Sequence, residues 1–531
     1  MSDTNLLTMS WGSVVAADGV ATEMGLCDLF ARAPDLRRLN GDLPTQDAAV
    51  LRFLLAIVLL AVADEQRDVR QAVADWTAWW NDWSRLNGLV QSYLHEHADE
   101  FELFDPDHPF LQAAGLEPQG QLAPGVGRLV PDLGHWFSTR QGPDADVLAP
   151  AEAARWLLHA QAFDAAGIKT GIDGDPTAKN GKAFPTGFPA WAGNLGVVIV
   201  VGQTLAETLL LNLPLRDHPN ETRAGWARHQ PLFRRDSQTP AGPGELMVWP
   251  NRRILMRRDG DGQIRRVQIS YGDTLTPQNM RQLEPMSAWR LSKAQSAKAK
   301  KPIMMPVTHD VARQVWRGLN ALLADRDGRP ATLNWLDLLR QRGHLDPALP
   351  ITLSAVGIEY GPQNGVIASM IDDSLSAELI ALTDPGLTEL AARCAENARP
   401  VVGALTHFGH LLAEASGTDS DQARDRAATR GYAALDPVFR SWLGALHDPT
   451  QLGAYEVAWQ QGTRGVALAE GRRMFDAAGQ AAARGRKVDG KLVSSSSAWS
   501  WFEHKITTLT PLASQQTDVP PPDTSSTEEN S

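Results

Sequence analysis

The pattern of apolar and polar positions divides the chain into two parts with different periods. Through residue 375, β-branched stretches alternate with helical ones. From 376 onward, apolar positions recur at helical spacing in long runs with short connections. In the first part, 6–15 is β-prone, 17–19 turns and 23–32 begins a helix. A helix follows at 48–62, then an amphipathic run at 67–86 carrying Trp76, Trp79, Trp80 and Trp83. Their spacing sets them on one helical face and predicts a tryptophan-rich core contact. Segment 195–213 starts β-branched and becomes helical, as a strand feeding a helix does. Residues 248–270 read as a hairpin turning at DGDG, 259–262. A helix is predicted at 310–323, and a strand at 351–358 ends in the turn-forming YGPQNG of 360–365. In the second part, helices are predicted at 376–396, 399–416, 420–446 and 450–478, with a short one near 498–508. The expected fold class is therefore α+β. A large mixed α/β domain (1–375) precedes an antiparallel four-helix bundle (376–510) and a polar, acidic tail (511–531) expected to be disordered.

The irregular stretches carry the candidate chemistry. Residues 167–191, GIKTGIDGDPTAKNGKAFPTGFPAW, hold five glycines, three prolines and the lysines Lys169, Lys179 and Lys182. A loop of this length inside a compact chain is usually functional or disordered. Glycine lets backbone N–H groups approach a ligand closely, and lysine adds charge. The Gly/Pro-rich stretch 113–150 contains His135, Trp136, Phe137 and Arg140. Aromatics beside a cation suit contact with a base or phosphate, and equally suit a loop pinned to its own domain. The arms of the 248–270 hairpin carry Arg252, Arg253, Arg257, Arg258, Arg265 and Arg266, either a phosphate-facing patch or a solvated face. The segment 293–301 is basic as well.

Composition narrows the class. A chain of 531 residues is too long for one core. Its 43% hydrophobic and 21% charged content is that of a soluble globular protein. The two cysteines, Cys27 and Cys394, exclude a disulfide framework and suit a reducing cytoplasm. The N-terminal residues show no cationic and apolar signal pattern, so no secretory signal is expected. The longest apolar run, 53–63, is about half the roughly 20 residues a bilayer requires, which predicts a buried helix and no membrane partner. The net charge of −12 is unlike that of a free-standing nucleic-acid binder. Contact with DNA would run through local basic patches, with partners supplying much of the affinity.

Catalytic motifs are not persuasive. GDPTAKNGK at 174–182 superficially resembles a P-loop, but its glycines are separated by six residues instead of four and Ala183 stands where Ser or Thr should bind magnesium. No GxSxG or HExxH occurs. His407 and His410, with Glu414 one turn on, have metal-ligand spacing, though core or surface histidines share it. His108, in the DHPF turn, reads as structural. His309–Asp310 leaves open a metal-dependent phosphodiesterase of the HD type. No cofactor is expected.

Several weak motifs in fixed order resemble one family. They are NLLTMSW…DG…MGLCDLFARA, the RFLLAIVLL helix, the DHPFLQ turn, the glycine loop followed by LLLNLPL, the PMSAWR segment and the C-terminal bundle. Together, over about 5–508, they resemble the CasA family, large subunits of the type I-E CRISPR surveillance complex Cascade. The resemblance implies a non-catalytic subunit near the 5′ handle of the guide RNA. Such a subunit recognises the protospacer-adjacent motif (PAM) in duplex DNA, starts strand separation and helps recruit a helicase–nuclease. Its implied partners are the guide RNA, the backbone, small and handle-processing subunits, and double-stranded target DNA. By position, Gly167, Lys169, Thr170, Gly171 and Gly174 correspond to the family's glycine loop, and Gln363, Asn364 and Gly365 to its wedge. The family's minor-groove lysine has no direct counterpart, since no lysine lies between Lys182 and Lys293. An arginine of the 252–281 region, such as Arg257 or Arg258, or else Lys293, stands in for it. Trp136, Phe137 and Arg140 correspond to the loop that anchors the family to the RNA handle and neighbouring subunits.

Overall fold

The apolar run at 53–63 folds as the second half of an 18-residue helix, Pro44–Ala61, buried on nearly every side. The computed structural model describes residues 2–511 except 64–66, 121–124, 132–145, 186, 216–223, 228–231, 235–237 and 324–326. By length and composition this helix could cross a membrane, but 78% of it is buried inside the fold. Its cation Arg52 is fully buried and forms a forked pair with Glu284, at 2.9 and 2.8 Å. The Trp191 indole donates to the same carboxylate at 2.8 Å. A charge inside a core persists only when paired and hydrogen-bonded in this way. Phe53, on the same helix, packs against Trp11, Phe110 and Trp226 with ring centroids 5.3–6.0 Å apart.

The tryptophan-rich run is two helices, Val69–Asn81 and Trp83–Glu96, where one was expected. Asp82 ends the first and caps the second by accepting from the Ser84 N–H at 3.2 Å. The core contact is present: Trp76 is fully buried and donates to the Leu210 carbonyl, and Trp80 stacks on it at 5.1 Å. Trp83, past the break, donates to the Phe30 carbonyl instead.

Strand Val197–Val201 feeds helix Leu205–Leu211, as its β-branched start predicts. It forms the edge of a three-stranded antiparallel sheet by pairing with residues 352–356 of strand Pro350–Tyr360. The other neighbour of that strand is Ile367–Glu378, which the sequence reading missed. Its sequence, IASMIDDSLSAE, has too many polar residues to read as a buried strand. Its presence moves the boundary between the units from 375/376 to Thr383/Asp384. The arginine hairpin, Arg252–Arg258 with Ile264–Tyr271, forms as expected.

Among the described residues, the unit from Asp384 holds four long helices: Pro385–Ser416, Ser420–Leu443, Leu452–Ala477 and Ser495–Leu509. The break expected at 396–399 is absent, and Pro400 sits inside the first helix. Proline removes one helical hydrogen bond, and the apolar packing of Val401, Leu405 and Phe408 outweighs that loss. Asp384, Asp419 and Ser494 cap three of the four helices with side-chain oxygens. Phe408 stacks on Phe502 at 4.7 Å in the core. A small hairpin, Arg486–Val488 with Lys491–Val493, precedes the last helix. The expected disordered tail lies outside the described residues apart from Pro511.

Candidate nucleic-acid interface

The glycine-rich loop is built around a half-buried carboxylate. Asp164, just past helix Pro150–Phe163, accepts from the Lys169 ammonium at 2.7 Å and from the Arg252 guanidinium. Arg252 also donates to the Asp164 and Ala165 carbonyls at 2.9 and 3.2 Å and stacks over the Tyr271 ring at 5.1 Å. The Tyr271 hydroxyl donates to the Gly167 carbonyl at 2.8 Å. Burial alone would raise the Asp164 pKa, but Lys169 and Arg252 bring it below the usual carboxylate range. This hub holds a two-stranded ribbon, Lys169–Thr170 with Lys182–Ala183. The ribbon is fastened to a neighbouring segment by Gln119 N–H to the Gly171 carbonyl (2.8 Å) and Asp173 N–H to the Glu117 carbonyl (2.9 Å).

The second loop is the tip of the long hairpin Pro350–Tyr360 with Ile367–Glu378. Its turn, Pro362–Asn364, is closed by Gly361 N–H to the Val366 carbonyl at 2.9 Å. Gln363 and Asn364 both take left-handed backbone angles, with φ of 58° and 54°. That conformation is costly for residues with a Cβ, least so for Asn.

The fold brings the two loops together. The Ala166 N–H donates to the Asn364 carbonyl at 2.7 Å, and the Asn364 amide donates to the Gly187 carbonyl at 3.2 Å. The Tyr360 hydroxyl donates to the Phe163 carbonyl at 2.6 Å. Burial, with Asp164 nearby, raises that hydroxyl's pKa well above the phenol range. Gly167 lies so close to the turn that a Cβ there would sit 2.7 Å from the Gly365 carbonyl oxygen. The glycine loop leads directly into the strand that pairs with Pro350–Tyr360, so sheet registry dictates this meeting.

The expected site residues within the described part of the chain have definite places. Lys169 is committed to Asp164, and Gly171 is buried within the ribbon. Thr170 is half-buried, and Gly174 is exposed. The Gln363 side chain is exposed, whereas Asn364 is a fastener between the loops and not a free tip. The six hairpin arginines do not form one patch. Arg252 and Arg253 are buried on Asp164 and Asp273, because both faces of the strand are covered there and buried cations need neutralising. Arg257 pairs with Glu117 at 2.5 Å, Arg258 covers the Phe104 ring at 4.6 Å, and Arg265 pairs with Asp259 at 2.6 Å. Lys293 opens the short helix Lys293–Ala299, is exposed, and shares no hydrogen bond or ion pair with either loop among the described residues. Trp136, Phe137 and Arg140 lie outside the described residues.

The candidate metal sets do not assemble. The His309 ring meets the Val197 carbonyl at 3.1 Å, and burial lowers its pKa. Asp310 turns instead to Arg313 at 2.8 Å. His407 packs edge-on against Trp501 at 4.4 Å, while His410 meets Glu414 at 3.4 Å. Among the described residues, no group of three or more His, Cys, Asp or Glu side chains is placed to hold a metal ion. The sequence reading also missed the Asp164 hub and the Arg52–Glu284–Trp191 set. A lone arginine inside an otherwise apolar helical run was the available signal for the latter.

Comparison with known proteins agrees with this architecture. The family model for CRISPR-associated protein Cse1 matches residues 5–469. CasA/Cse1 of Thermus thermophilus is 26% identical over 496 residues, covering 87% of this chain and 91% of that protein. The crystal structure of Thermobifida fusca Cse1 superposes with a TM-score of 0.87 at 36% identity, covering 96% of this chain and 98% of that one. A chain of a CRISPR RNA-guided surveillance complex shares the fold, with a TM-score of 0.63 at 18% identity over 89% of this chain and 99% of that one. The chain belongs to the family of the CRISPR-associated protein Cse1, also called CasA.

Proposed function

We propose that this chain is the large, non-catalytic subunit of a type I-E CRISPR RNA-guided surveillance complex, and that it reads the PAM in duplex DNA and starts strand separation. The observation that carries the reading is the junction of the glycine loop with the 361–366 turn. A glycine-rich ribbon suits the minor groove, whose code is degenerate and whose floor a backbone can approach. A turn tipped by Gln363 suits insertion beside the first target base pairs. Unstacking a base step costs on the order of a few kcal/mol, which a filled gap offsets. Sequence beyond the PAM is left to RNA–DNA pairing, so the protein needs few base contacts.

The same reading assigns the remaining partners. The guide RNA handle and neighbouring subunits meet the loop of Trp136, Phe137 and Arg140. The helical unit meets the small subunits and DNA, and the assembled surface helps recruit a helicase–nuclease. The setting is the cytoplasm, with no membrane contact. An acidic chain fits such a role because other subunits hold the RNA. A phosphodiesterase reading through His309 and Asp310 has no supporting geometry, since each has a separate structural partner. The test is binding of the reconstituted complex, with and without this chain, to duplexes varied only at the PAM. Discrimination that disappears when the chain is omitted is the expected result. Discrimination that persists without it overturns the reading.

A further inference from the structure

The ribbon of the glycine loop has two unlike faces. Its register pairs Lys169 with Ala183 and Thr170 with Lys182. Paired residues point to the same face and successive residues to opposite faces. Lys169 and Ala183 face inward, the first on Asp164 and the second buried. Thr170 and Lys182 therefore share the outer face, and the register continued by one residue sets Ile168 opposite Phe184 beside them. Ile168 is 50% exposed and Phe184 47%. Two more open apolar side chains flank the junction with the turn. Val366, next to Gly365, is 60% exposed, and Phe188, next to Gly187, is 37% exposed. A core-forming chain has no folding reason to leave four large apolar side chains open around one junction. Lys182 and Lys179 are exposed cations with no ion pair among the described residues, and their backbones exchange hydrogen bonds at 2.9 and 3.1 Å.

We propose that this outer face is a stacking platform for unpaired bases of a nucleic-acid strand, with Ile168 and Phe184 under the bases and Lys182 and Lys179 on the adjoining phosphates. Apolar and aromatic side chains interleaved with unpaired cations are the chemistry of single-strand recognition: each base offers an apolar face and each linkage one negative charge. The exposed ammonium groups of Lys179 and Lys182 beside these apolar side chains complement a polyanion. The platform rests on the nucleic-acid reading of the same junction and adds what the opened bases rest upon.

The test uses the full-length chain and a fluorescently labelled oligodeoxythymidine strand, followed by anisotropy, alongside a strand of equal length made of abasic residues. The Ile168→Ser/Phe184→Ser variant is expected to lose on the order of ten-fold in affinity for the thymidine strand and to match the unmodified chain on the abasic strand. Lys182→Gln weakens binding to both strands alike and flattens the salt dependence. Phe184→Trp, which keeps a ring at the position, retains binding and controls for folding. Equal losses on both strands from the serine variant overturn the platform. So does unchanged binding, including the case where the serine variant instead fails to assemble with other subunits. If PAM discrimination by the complex stands while the serine variant binds normally, the platform alone falls. If the serine variant binds normally and PAM discrimination by the complex also persists when this chain is omitted, the nucleic-acid reading falls with it.

Discussion

Gly167 and Gly365, far apart in sequence, meet backbone to backbone: a Cβ on Gly167 would lie 2.7 Å from the Gly365 carbonyl oxygen. Glycine at 167 is thus explained by protein packing before any ligand is considered. A side chain there must push the ribbon off the turn. Gly167→Val is expected to cost about 1–3 kcal/mol of stability, as overpacking does. In the reconstituted complex it should weaken binding to PAM-bearing duplex and spare binding to target already single-stranded. Equal losses on the two substrates, measured by gel-shift titration, would count against a role for the junction in duplex recognition.

At Gln363 the proposed wedge role can be tested apart from stability. Its φ of 58° is unfavourable for a residue with a Cβ, so Gln363→Gly should stabilise the fold by about 1 kcal/mol. The same change removes the exposed polar tip. Stopped-flow fluorescence of 2-aminopurine beside the PAM should show slower strand opening with little change in initial duplex binding. Asn364→Ala is expected to destabilise, because it removes the tie to Gly187. Unchanged opening in the Gln363→Ala/Asn364→Ala double variant would refute the wedge assignment.

Asp164 neutralises two cations from different elements. Asp164→Asn leaves the buried Arg252 without its counter-charge and is expected to cost about 3–5 kcal/mol. The folded carboxyl has a depressed pKa. Its contribution is therefore complete above the unfolded value, about 4, and is lost as the pH falls through the folded value. Thermal melts of wild type and variant should converge in acid and diverge above about pH 4.

Asp47 behaves in the opposite sense. Burial raises its pKa to about 6, against the pull of the Gly41 N–H, and Asp372 and Asp42 add to the rise beside a cavity of about 350 Å³. The folded state holds this proton more tightly than the unfolded chain. Its contribution to stability is thus present below about pH 4 and is lost as the pH rises through about 6. Asp47→Asn keeps an acceptor for Gly41 and removes the titration. Relative to wild type, its stability should improve across that window by about 1–3 kcal/mol.

Arg52 tests the core pair. Arg52→Met strands the Glu284 carboxylate and should cost about 3–5 kcal/mol in chemical denaturation. Adding Glu284→Gln, which can still accept from Trp191, should recover much of that loss. No recovery would mean that packing of the arginine, and not its charge, holds the helix in place.

Much of the architecture could be read from periodicity. The buried helix expected at 48–62, the strand feeding a helix after 195, the arginine hairpin and the helical C-terminal unit each follow from local spacing of apolar residues. That spacing reflects which face a segment must bury. Asp82 and Pro400 show where local rules fall short. At Asp82 a side-chain cap splits a continuous amphipathic run, and at Pro400 packing carries a helix through a residue that usually ends one. The strand Ile367–Glu378 was hidden because its polar residues do not spell a buried element. It exists because Pro350–Tyr360 offers a register to pair with.

The sequence by itself determined that residues 167–191 and 360–365 are exceptional: a glycine-rich cationic loop and a turn, both read from composition. Only the tertiary structure decided that they meet at one junction. It also decided that Lys169, Arg252 and Asn364 hold the junction together, while Gln363, Lys182, Ile168 and Phe184 face outward. The reason is physical. Local spacing reports what a segment buries. Which cation finds a carboxylate, and which stays free for a ligand, depends on sheet pairing between residues far apart in the chain.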